Sequence, residues 1–94
     1  MIKRFVKMTF EPGNIEEFVS LFDSKKKLIA AVEGCTHLEL LQDDSNPCIF
    51  FTYSIWNTTD HIENYRQSEL FKSVWAKTKP LFSHKAEAWS LKVK

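Results

Sequence analysis

Glycine is nearly absent: Gly13 and Gly34 are the only two in 94 residues. A glycine-rich loop that cradles phosphate needs several close together, so that class of nucleotide site is excluded. Cysteine is equally scarce. Cys35 and Cys48 stand in no metal-ligand spacing, which leaves neither a disulfide framework nor a zinc site to build from. No excess of one charge exists either, the formal net charge being +1. A dedicated nucleic-acid binder concentrates positive charge on one face, and this chain does not supply it. Lys25-Lys26-Lys27 is the single basic run, and it follows Glu16, Glu17 and Asp23 along one expected helix, as a solvated face would. No window approaches the roughly 18 apolar residues of a membrane span. The start, Met1-Ile2-Lys3-Arg4, lacks a secretory leader's apolar stretch. A cytoplasmic protein with reduced thiols and no membrane partner is therefore expected.

Aromatic residues are plentiful, at 14% of the chain, and must enter a core, an interface or a pocket. The length fits one domain over residues 1–94. A domain this small buries only about two-thirds of its unfolded surface, so a partner subunit would add stability.

Residues 2 to 10 alternate in polarity, with Ile2, Val6, Met8 and Phe10 on one side, and predict a strand that Glu11-Pro12-Gly13 ends. Asn14 reads as a helix N-cap with Glu17 closing a capping box. Ile15, Phe18, Leu21, Phe22, Leu28, Ile29 and Val32 then form one apolar stripe, with Gly34 as its stop. Thr36 to Gln42 predicts a second strand, Asp43 to Pro47 a turn, and Cys48 to Trp56 a third strand. Both faces of that third strand are apolar: Phe50, Thr52, Ser54 and Trp56 on one, Ile49, Phe51, Tyr53 and Ile55 on the other. The chain's own helices can cover one face, and a second copy of the sheet is the economical cover for the other. Asn57 or Thr58 caps a further helix, which breaks near Gln67 and restarts at Ser68; Pro80 disrupts its end, and His84 to Val93 alternates as a fourth strand. The order βαββαβ is that of the ferredoxin-like α+β fold, a four-stranded antiparallel sheet with its helices on one face.

Glu33 to Pro47, the strand-end Trp56, and the pattern Tyr65-x-x-Ser68-x-x-Phe71 together resemble the antibiotic biosynthesis monooxygenase (ABM) domain family. The resemblance implies a homodimer paired through its sheets, a dimeric α+β barrel. It also implies a cofactor-independent monooxygenase acting on a quinol-like or polycyclic aromatic compound, or a non-catalytic relative that binds an apolar small molecule. Part of the family's pattern is missing. Many members carry a histidine at the position of Tyr65, and the haem-degrading branch carries a tryptophan there, with an iron-ligating histidine at the position of Trp75. That branch also has an early-strand asparagine, where this chain has Val6 and Lys7. Haem degradation by those residues is not expected, and haem binding would need an altered ligand, for instance His37 or His84.

Oxygenation without a cofactor or metal needs a dry aromatic cleft, a base, and a donor for the developing oxyanion. Tyr65 can hydrogen-bond a substrate phenol or carbonyl, and Trp75 and Phe71 can stack on its ring; the same three side chains could instead fill the gap between helix and sheet. Tyr53 and Trp56 are further candidates for the cleft wall. Histidine is the side chain whose ordinary pKa lies nearest neutrality, which brings in His37, mid-strand, as a catalytic candidate. His61 and His84 are expected to be exposed. Trp89 is a candidate anchor for the partner sheet.

Overall fold

Alternation along Ile2–Phe10 (β1) and Ile49–Trp56 (β3) sends one set of side chains to each side of a sheet, and the two strands pair antiparallel with Met8 opposite Phe50 and Ile2 opposite Trp56. The computed structural model describes residues 1–94. Cys35–Gln42 (β2) pairs with β3 and Phe82–Lys92 (β4) with β1, both antiparallel, giving the sheet order β2-β3-β1-β4. The helices Ile15–Ala30 (α1), Thr59–Arg66 (α2) and Glu69–Thr78 (α3) supply the cover for one face. This is a ferredoxin-like α+β fold, as the element order implies. No helix is long and apolar enough to cross a membrane.

The core lies between that face and the helices. Phe10, 1% exposed, stacks on Phe18 of α1 at 4.2 Å and meets Phe50 and Phe82 at 5.8 and 5.3 Å. A smaller apolar cluster of Ile2, Trp56 and Ile62 ties α2 to the far end of the same face. The other face has no helix over it. Phe5 stacks on Tyr53 there at 4.8 Å, and Trp89 and Leu91 remain 41% and 49% exposed.

Local chemistry explains most of the boundaries. The Thr58 hydroxyl accepts the His61 N–H at 3.2 Å and starts α2. The break after Gln67 is made by Ser68, whose hydroxyl accepts the Phe71 N–H at 3.2 Å and donates to the Tyr65 carbonyl at 2.6 Å. One hydroxyl thus closes α2 and opens α3.

Three expectations are corrected. Asn14 forms no capping box: the 3₁₀ turn Pro12–Asn14 runs directly into α1, and the Asn14 Nδ2 donates instead to the Leu81 carbonyl at 3.2 Å. Helix α1 stops at Ala30, short of Gly34, and Gly34 serves the turn into β2 at φ +89°. Leu28 is 56% exposed, because it sits about 100° around the helix from its neighbour Ile29, outside the stripe that Phe18, Phe22 and Ile29 bury.

Candidate functional site

Trp56 ends β3 on the helix-covered face, 1% exposed, with its indole Nε1 donating to the Ser54 hydroxyl at 2.9 Å. Ser54 and Trp56 are two residues apart on one strand, so alternation places them side by side. Ser54→Ala would leave a buried indole N–H without a partner, a loss of about 1–3 kcal/mol. Urea denaturation of the variant is expected to show a loss in that range.

A chain of rings starts at this tryptophan. Tyr65 of α2 stacks on Trp56 at 5.2 Å; Phe71 of α3 meets Tyr65 edge-on at 5.2 Å; Trp75 stacks on Phe71 at 5.8 Å and meets Phe82 edge-on at 5.6 Å. The spacing follows from the helices, since Phe71 and Trp75 are four residues apart and share one face. The rings do not fill the gap to the sheet. A cavity of about 280 Å³ remains between them and the face carrying Arg4, Val6 and Met8. A cavity of roughly 150 Å³ holds benzene, so this one has room for about two fused rings.

Few polar groups reach this apolar space. The Thr78 hydroxyl is committed to the Val74 carbonyl at 2.7 Å. Tyr65 is pushed up to about 12, first by burial and then by nearby Cys35, with Arg4 opposing. Its phenol is therefore protonated at neutral pH, with a hydrogen to donate and no capacity to serve as a base. Arg4 donates from Nη1 to the Ser90 hydroxyl at 2.9 Å and has no carboxylate within 4.0 Å. Burial lowers its pKa, as does Arg66, while Glu63 and Tyr65 raise it.

Of the residues singled out from the sequence, Tyr65, Trp56, Phe71 and Trp75 line this one cavity. Tyr53 and His37 do not. Strand alternation turns both to the bare face, where His37 lies edge-on to Tyr53 at 5.4 Å and its Nε2 is 3.2 Å from Glu39. His84, as expected, is exposed and pairs across the sheet with Thr9. His61 is half-buried rather than exposed, because its ring lies over Gly34 while its Nδ1 is 2.8 Å from the Thr58 hydroxyl. No histidine lines the cavity, so the residues present do not fit a haem with a histidine ligand there. His, Cys, Asp and Glu side chains nowhere gather in a cluster of three or more that could hold a metal ion. Arg4 and Arg66 also line the cavity. The sequence reading missed Arg4, although its parity with Ile2, Val6 and Met8 puts a charge on the apolar side of β1.

The fold is an α+β domain of the ferredoxin-like class, with an aromatic-walled cavity between sheet and helices. The antibiotic biosynthesis monooxygenase family matches residues 1–77, and the chain belongs to that family. A conserved protein from Methanosarcina mazei Go1 superposes with a TM-score of 0.94 at 22% identity, covering 99% of this chain and 92% of that one. An antibiotic biosynthesis monooxygenase superposes with a TM-score of 0.93 at 14% identity over 100% and 99% of the two chains. A Pseudomonas aeruginosa protein does so with a TM-score of 0.87 at 18% identity over 99% and 93%. These likenesses are of fold. No curated protein is similar enough to match.

Proposed function

We propose that the chain is a cofactor-independent monooxygenase whose substrate is a quinol-like or small polycyclic aromatic compound bound in the cavity beside Tyr65. The observation that carries this reading is the pairing of a continuous aromatic wall, Trp56 to Trp75, with two donors, Tyr65 and Arg4, around one empty space. The substrate ring lies against Trp75 and Phe71, and its oxygen accepts from Tyr65. An electron-rich ring held this way passes electrons to oxygen directly. One oxygen atom joins the ring carbon and the other leaves as water, so a hydroquinone and O₂ give a hydroxyquinone and H₂O. The substrate supplies all four electrons, and no cofactor is required. Donors held in place beside an apolar wall stabilise the anion that builds up on the substrate oxygen.

The same reading makes the working unit a homodimer, with a second copy covering the bare sheet face that carries Phe5, Tyr53, Trp89 and Leu91. Sedimentation equilibrium at micromolar concentration is expected to give a dimer, and a well-folded single subunit would oppose it. The free thiols Cys35 and Cys48, at opposite ends of the β2–β3 hairpin, suit a reducing cytoplasm.

Oxygen uptake with naphthalene- and benzene-based hydroquinones tests catalysis, and a rate no higher than without protein counts against it. A non-catalytic binder is the second reading, favoured by Tyr65 standing where many family members have histidine. Ligand-induced thermal stabilisation without turnover would select it.

A further inference from the structure

We infer that the cavity is built for an aromatic ligand bearing an anionic oxygen, seated on the Arg4 guanidinium, and that Arg4 does a base's work by making a phenolic ligand ionise there. The inference rests on the cavity being the aromatic site, but not on turnover.

The charges around the cavity carry it. Its ionisable lining consists of Arg4, Arg66, Tyr65 and Glu87. Glu87 pairs with Lys7 across the sheet, and the register turns both side chains toward the opposite face from Arg4. Arg66 has a carboxylate of its own, Glu63, at 3.5 Å. Tyr65 is neutral and donates. Cys35, beside Tyr65 at the start of β2, points its thiol at the His37 carbonyl at 3.5 Å, and burial pushes that thiol up, so it is neutral as well. What remains without a carboxylate in contact is Arg4, on which Glu63 acts only from beyond 4.0 Å and against the opposing charge of Arg66. Arg4 presents five N–H donors, and its one hydrogen bond within the chain goes to a neutral hydroxyl, Ser90, at 2.9 Å.

A cation that is part-buried against an apolar space, with no carboxylate partner, is stabilised most by an anion entering that space. Surface arginines rarely meet that description, and the location is specific: the inner strand β1, at the end of the cavity where Tyr65 stacks on Trp56. A phenol bound there would have its oxygen between the Tyr65 O–H and the Arg4 guanidinium. Both favour the oxyanion, and the displaced proton passes to bulk water. An opposite charge within about 4–6 Å lowers an acid's pKa by roughly 1–3 units. That would answer the lack of a histidine at Tyr65, since a substrate that ionises on binding needs no side chain to remove its proton.

The test uses three two-ring probes in the full chain: 2-naphthol, 2-naphthoate and 2-methoxynaphthalene, followed by calorimetry and by ultraviolet absorption. Naphthoate is expected to bind at least about 10-fold tighter than the ether, and bound naphthol to show the naphtholate band about 1–3 pH units below its free value. Arg4→Met is expected to weaken naphthoate and naphthol about 10- to 100-fold while leaving the ether within about 3-fold, and Arg4→Lys to restore part of the loss. Equal binding of ether and naphthoate would overturn the inference and leave an apolar aromatic site standing. Tight naphthoate with naphthol ionising at its free value would overturn the ionising role. Uniform weakening of all three probes by Arg4→Met would assign Arg4 to structure. Failure of every probe to bind would sink the cavity reading itself.

Discussion

Gly34→Ala is expected to remove about 3 kcal/mol of stability and to lower Tm by roughly 15 °C. Two separate costs add. Gly34 sits at φ +89°, on the left-handed side of conformational space, where a Cβ costs about 1–2 kcal/mol. The new methyl group would also overlap the His61 ring at its Cγ. That ring cannot simply swing clear, because its Nδ1 is 2.8 Å from the Thr58 hydroxyl and its backbone N–H is bound by the same hydroxyl at 3.2 Å. Nor can the backbone easily yield, since the Gly34 carbonyl accepts the Asn57 N–H at 2.8 Å. Relief must come from moving α2, which would pull Tyr65 off Trp56 and spoil one wall of the cavity. The double variant Gly34→Ala/His61→Ala should recover the overlap share and keep the conformational share, about 1–2 kcal/mol. Thermal denaturation of the two proteins separates the terms, and a Gly34→Ala protein melting with the parent would show that neither contact constrains the turn.

Tyr65→Phe is expected to leave folding nearly intact and to reduce kcat/KM about 100-fold, the usual loss when one donor to a developing oxyanion is removed. The ring and its stacking survive the change. Only the hydroxyl is lost, and burial has already stripped it of most of its water. Its titration provides an independent check. The phenol ionises near 10.0 when unfolded and at about 12 in the folded chain. Below the lower value both states are protonated, and the tyrosine's full contribution to stability is present. As pH rises through the window the unfolded chain ionises first, so stability falls until the folded pKa is passed. The parent should therefore lose up to about 2–3 kcal/mol more than Tyr65→Phe between those two pH values, read from urea denaturation at each pH. Equal losses of stability and activity in the variant would instead make Tyr65 a packing residue.

Much of the fold could be read from local chemistry. The two apolar faces of β3 alternate so regularly that both the helix-covered core and the bare face are visible in eight residues. Ser68 announced the break between α2 and α3, because a hydroxyl before Glu69-Leu70-Phe71 is a ready N-cap. The cavity wall from Trp56 to Trp75 was legible for the same reason, being ordered by one strand end and two short helices. The residues that went astray depend on longer-range relations. Asn14 is drawn away from its own helix by Leu81, far along the chain. His37 sits on the strand β2, whose phase against β3 decides which face it sees, and the register shift between Cys35 and His37 is not written in either residue. Arg4 was passed over because a charge among apolar residues reads as an exception to the strand pattern, when its position in that pattern points it at the cavity.

Oxygenation of an aromatic guest beside Tyr65 and Arg4 is tested most directly by ¹⁸O₂ labelling with 1,4-naphthohydroquinone, using protein treated with a metal chelator. The expected result is one O₂ consumed per quinol, one labelled oxygen in the quinone product, and labelled water, at a rate that Arg4→Met and Tyr65→Phe each depress. Unlabelled product formed at the rate of buffer alone, in protein that binds the quinol, would contradict it.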